Sequence, residues 1–278
     1  MKDAVRVLTV SYILFILMLS LSGSVSGILS DIIYCLSFAL PLILGIYSSK
    51  RLKIAREEEA GLLEENVNFF RAKPRELVAL LPLLMPVVGI VFLVSYLTAL
   101  TMGAFGIESA PVENIGIIKM LLIHALVPAV LEELVFRLLP LMLLLPYSPR
   151  YCVIISSLCF SLCHCDVFKM PYAFVAGVLF MIIDIMSESV LPSVIFHFIN
   201  NAVSIVWIVI PDGYRLLFVL ALIALALLSL VFVFIKRERF KDGIRQAMRV
   251  GEGFLGSREM LILAALTMTV SVTNLFVR

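Results

Sequence analysis

Apolar runs of about 20 residues follow one another along this chain, at roughly 5–23, 28–47, 77–100, 115–139, 150–167, 171–187, 190–210, 213–235 and 259–277. A bilayer core of about 30 Å needs about 20 such residues per helix, with every backbone polar group bonded inside its own segment. The fold class that follows is all-α: a polytopic helical membrane protein with eight or nine transmembrane helices. The ninth run is poorer in apolar residues and suits the interface as well as a span. A transmembrane β-barrel is excluded, because its strands are short and alternate. The first run is longer than a signal-peptide core and lacks a small-residue cleavage site, so it reads as a retained anchor helix. One membrane domain, 1–278, accounts for the chain.

Lys and Arg set the orientation. The 48–76 loop carries Lys50, Arg51, Lys53, Arg56, Arg71, Lys73 and Arg75, and the 236–258 segment carries Lys236, Arg237, Arg239, Lys241, Arg245 and Arg249. Counting spans puts both on one side, which makes them and the N-terminus cytoplasmic. Within the loop, Leu62, Leu63, Val67, Phe69 and Phe70 alternate with glutamates as in an amphipathic helix near that face. A net charge of +2 and only 15% charged residues leave no basic domain for nucleic acid. The five cysteines (Cys35, Cys152, Cys159, Cys163, Cys165) all lie in apolar segments, as reduced, packed thiols do.

Against this background two adjacent glutamates stand out, Glu132 and Glu133, in the fourth run. A carboxylate at bilayer depth is costly and persists where it has a partner or a task. Glu133 and Arg137 are spaced i,i+4 and should pair on one helix face. Glu132 points about 100° away, without an intrahelical cation, and suits general acid–base work. Pro128 cannot bond the carbonyl of His124, so the helix should loosen just before the glutamates. The bland alternative is a buried ion cluster that only fixes packing.

The fifth run brings Ser157, Phe160, Ser161 and His164 along one stripe, and the seventh brings Ser193, His197, Asn200, Asn201 and Ser204. Two asparagines and a histidine on one face are poorly explained as helix–helix glue. At 1.5 Å per residue His164 lies about 21 Å and His197 about 10 Å from the cytoplasmic ends of their helices, so both fall near mid-depth with Glu132. Cys163-His164-Cys165 is a poor metal clip, since adjacent helical residues diverge. Asp184, on the small-residue face of the sixth run, reads either as a support behind the site or, more simply, as a residue near the cytoplasmic boundary beside Glu188, and His124, two turns before Glu132, as a structural partner.

Glu-Glu-x-x-x-Arg (Glu132, Glu133, Arg137), Phe-x-x-x-His (Phe160, His164) and His-x-x-x-Asn (His197, Asn201), in that order on separate spans, resemble the CPBP family. This family holds the type II CAAX prenyl endopeptidases and the bacteriocin-processing, lysostaphin-resistance-like membrane proteases. The resemblance runs from about 115 to 208, which would then be the catalytic core. It implies an intramembrane endopeptidase acting on a membrane-associated protein or peptide, for CAAX substrates by removing the three residues after a prenylated cysteine. Glu132 would activate water with help from His164, His197 and Asn201 would hold the oxyanion, and Glu133 with Arg137 would orient them. Zn²⁺ on Glu132, His164 and His197 and a metal-free glutamate mechanism both remain open, with Asn201 favouring the second. Two rivals come from other classes. A proton-coupled transporter would also bury carboxylates and histidines but should show a repeated half, which the sequence lacks. A catalytically silent scaffold of the same fold would tolerate loss of Glu132.

Overall fold

The computed structural model describes residues 1–60, 73–107, 116–250 and 265–270. Those residues form helices and no strands. Helices α1 (Lys2–Gly23) and α2 (Ile28–Ala60) make an antiparallel hairpin. Its turn uses Gly27 at φ +69, a left-handed value that glycine adopts without strain. Helix α3 (Pro74–Ala104) follows, then α4 over 117–143, α5 (Pro149–Cys163), α6 (Met170–Ser187), α7 (Leu191–Val209), α8 (Asp212–Ile235) and the short α9 (Arg237–Ala247).

Six of these, α1, α2, α3, α6, α7 and α8, are long and apolar enough to cross a membrane. Of the other three apolar runs, two lie wholly within the described residues or nearly so, and they fold differently from uninterrupted spans. Helix α5 ends at Cys163 and not near residue 167, because Asp166 accepts the Phe168 amide (2.9 Å) and turns the chain. At 15 residues it is about 22 Å long, short of a bilayer core. Helix α4 is broken by two π-helical stretches, Leu121–Leu126 and Leu134–Leu138. The amphipathic pattern over 62–70 and most of the ninth run lie outside the described residues.

Helix α8 has no buried residue, whereas α1, lower α4, α5 and α6 share a continuous core. Along α1, Ala4, Val5, Leu8, Tyr12, Phe15 and Ile16 recur at helical spacing and are all buried. Tyr12 stacks on Phe136 (5.1 Å between centroids) and Phe15 meets it edge-on (5.3 Å), fixing α1 against the second π stretch. Helices α5 and α6 approach closely at Gly177, where a Cβ would come within 2.9 Å of the Ser157 Cα.

The basic segments meet at one end of the bundle. Arg239 of α9 pairs with Glu76 at the start of α3, the Arg150 amide bonds the Arg249 carbonyl (3.4 Å), and Gly243 lies against Met186 at the end of α6.

Candidate active site

The local fold of α4 explains how its charges are presented. Pro128 has no amide hydrogen, and the loosening expected before the glutamates is the π stretch that ends at Leu126. Pro140 does the same for the second stretch: it leaves the Phe136 carbonyl without its helical partner. That carbonyl instead accepts Ser156 Oγ (2.5 Å) and Arg137 Nη1 (3.0 Å). Arg137 is thereby held inward, fully buried, with Nη1 also 3.3 Å from Ser156 Oγ.

Glu133 is also fully buried and its Oε2 lies 3.1 Å from Arg137 Nε, the pairing that i,i+4 spacing implies. Its other oxygen receives His197 Nδ1 from α7 at 2.7 Å. A carboxylate ion-paired with a guanidinium accepts hydrogen bonds only, so the His197 proton sits on Nδ1 and Nε2 is aimed outward. Nε2 lies 3.9 Å from Oε2 of Glu132. That gap is too long for a hydrogen bond. The two adjacent glutamates thus flank one imidazole, and Glu132, at 20% side-chain exposure, is the accessible one.

Phe160 ties the three segments together. Its ring carries the Arg137 guanidinium (4.4 Å), meets His164 at right angles (4.7 Å) and reaches His197 (6.0 Å). His164 donates from Nδ1 to the Phe160 carbonyl (2.7 Å), which leaves its Nε2 free for another partner. On α7, Asn201 stands one turn beyond His197 and is partly exposed. Asn200 Nδ2 reaches Asn201 Oδ1 (3.5 Å), an orientation that leaves the Asn201 NH₂ end to donate.

Several sequence expectations change. Asp184 is fully buried, and its Oδ1 accepts the Ser193 amide (3.2 Å) at the start of α7. His124 is exposed, so it is no partner of the glutamates. The π stretch between them rotates the helix face by about one residue, roughly 100°, relative to an unbroken helix. Cys35 is exposed, while the other four thiols are buried and none is in a disulfide. Ser157 bonds its own helix, at the Val153 carbonyl (2.6 Å), and it is Ser156 that serves the site. A polar residue facing the carbonyl that Pro140 leaves open was the signal for it.

Glu132, His164 and His197 were the candidate zinc ligands. Among the described residues no three His, Cys, Asp or Glu side chains stand close enough together to hold a metal ion. In their neutral forms both histidines present Nε2 as the lone-pair atom. The donor chemistry suits zinc, but the placement does not gather a ligand set.

Residues 114–203 match the family model described as type II CAAX prenyl endopeptidase Rce1-like. No curated protein and no solved structure matches the chain. The matched stretch spans α4 to α7 and holds every residue of the site.

Proposed function

We propose that this chain, whose segment 114–203 matches the type II CAAX prenyl endopeptidase Rce1-like family model, is an intramembrane endopeptidase that uses Glu132 as its base. The observation that carries the reading is the asymmetry of the glutamate pair. Glu133 is neutralised by Arg137 and His197, while Glu132 keeps an accessible carboxylate 3.9 Å from His197 Nε2.

In the proposed reaction, water sits between Glu132 and the free Nε2 of His164. Glu132 takes its proton as the oxygen attacks the scissile carbonyl. The carbonyl electrons move onto oxygen, and that oxyanion accepts from the Asn201 NH₂ group and from His197 Nε2. Donation from Nε2 requires a proton on both ring nitrogens, and the Glu133 carboxylate, 2.7 Å from Nδ1, faces that form of the ring. Collapse of the intermediate breaks the C–N bond, and protonated Glu132 delivers its proton to the leaving amine. Glu133 and Arg137 hold the imidazole in register throughout.

The substrate we propose is a membrane-associated protein, with a prenylated CAAX terminus as the first candidate. The site then works from the side where the basic segments gather, which we assign to the cytoplasm by the positive-inside rule. The test is cleavage of a fluorescence-quenched farnesylated CAAX peptide by purified full-length protein in detergent, with and without a zinc chelator. Cleavage that survives the chelator and disappears in Glu132→Ala and His197→Ala supports the metal-free reaction. Cleavage abolished by the chelator and restored by Zn²⁺ overturns it, and no cleavage by folded wild type removes the prenyl substrate.

A further inference from the structure

Asp184 is a buried carboxylate that the proposed reaction does not use. It lies four residues after Phe180 on α6, so the two share a helix face. That face looks into the site: the Phe180 ring is 5.7 Å from the His197 ring and 5.9 Å from the Arg137 guanidinium carbon. Asp184 Oδ1 accepts the Ser193 amide across the α6–α7 turn (3.2 Å), and the fields of Glu133 and Arg137 both reach it. Ser193 is one helical turn before His197 and is itself fully buried, its hydroxyl bonded to the Val190 carbonyl (2.9 Å). Oδ2 of Asp184 and Nη2 of Arg137 are both buried without a hydrogen-bond partner in the described structure. A buried polar atom left in that state is costly, so packing alone is a weak reason to keep it.

We propose that Asp184 is a positioning residue: by accepting the Ser193 amide it fixes the first turn of α7, and with it the register of His197 against Glu133 and Glu132. The acceptor sits at a helix N-terminus, where an amide of the first turn has no intrahelical partner and a carboxylate is favoured. Ser187 donates to the Asp184 carbonyl (3.3 Å), as does the Ser189 amide (3.2 Å), so the whole turn closes around this residue. The consequence for catalysis rests on the peptidase reading; the consequence for His197 does not.

The chain has only three histidines, His124, His164 and His197, so ¹³C-histidine labelling of the full-length protein in micelles resolves each ring. Three variants separate geometry from stability. Asp184→Leu removes the acceptor and fills its space with an apolar side chain, at the cost of one unsatisfied amide at the start of α7. Asp184→Ala serves if leucine does not fit, and Asp184→Asn keeps an acceptor oxygen for the Ser193 amide. We expect Asp184→Leu to move the His197 resonance (identified by its loss in His197→Gln) and leave that of His124 in place. Its kcat should fall by about 10²-fold with KM within about twofold, the scale of a misplaced reacting group. Asp184→Asn should recover both readouts most of the way. An unmoved His197 resonance in folded Asp184→Leu or Asp184→Ala overturns the proposal, and so does Asp184→Asn behaving like Asp184→Leu. A wild type that cleaves nothing would sink the peptidase reading while the resonance arm still decides the role of Asp184.

Discussion

The inner side of the site and its open side are built from neighbouring residues by opposite rules. On the inner side Glu133, Arg137 and Asp184 are fully buried and every contact runs to protein. On the open side Glu132, His164 and Asn201 are partly exposed and keep at least one polar group uncommitted. One step along α4, about 100° of rotation, separates a carboxylate consumed by structure from one available for chemistry. A paired buried charge fixes geometry at a cost in solvation, and an unpaired one at a water-accessible edge can move a proton.

The largest effect should come from breaking the open side alone. Glu132→Gln removes the base without leaving a buried partner unpaired, so kcat should fall by about 10²–10⁴-fold. Thermal unfolding in detergent should stay close to wild type. A variant that keeps its rate would return Glu132 to a packing role and favour a silent scaffold.

Glu133→Gln makes the opposite cut. It strands the fully buried Arg137 guanidinium, and the loss of a buried partner costs about 3–5 kcal/mol of stability. Glu133→Leu combined with Arg137→Met should recover much of that stability and none of the activity, because His197 Nδ1 then has no acceptor. If Glu133→Gln is as stable as wild type, the division between the two sides is wrong.

That division was half legible in the sequence. The i,i+4 spacing of Glu133 and Arg137 announced their pair, and Pro128 announced the first π stretch, because both act through local helix geometry. Pro140 carried the same signal for the second stretch, yet its effect shows only in what captures the Phe136 carbonyl, a serine 20 residues away. His124 was misread because periodicity assumes an unbroken helix. The burial of Asp184 was hidden because an acidic residue near the end of an apolar run usually faces the interface, whereas here the next helix turns back and offers it an amide. The end of α5 was hidden by Val167 and Phe168, whose apolar side chains extend the run past the turn at Asp166.

Asn201→Ala sharpens the open side further. Loss of one oxyanion donor should lower kcat by about 10²–10³-fold with little change in KM, and Asn201→Asp should not restore it, since a carboxylate has no proton to give. A drop confined to KM would make Asn201 a substrate-binding group instead.

The smallest effect belongs to the inner side. Ser156→Ala removes the 2.5 Å bond to the Phe136 carbonyl, but Arg137 Nη1 still donates to that oxygen at 3.0 Å, so no acceptor is orphaned. The loss should be about 1 kcal/mol in unfolding free energy, the net worth of one hydrogen bond, with kcat reduced only a few-fold through a looser Arg137. Pro140→Ala tests the cause. It restores an amide able to bond Phe136, so Ser156→Ala should cost less in that background, and the two substitutions should be non-additive by several tenths of a kcal/mol or more. Strict additivity would mean that Ser156 supports Arg137 directly, and that the missing amide of Pro140 has no part in presenting the inner side of the site.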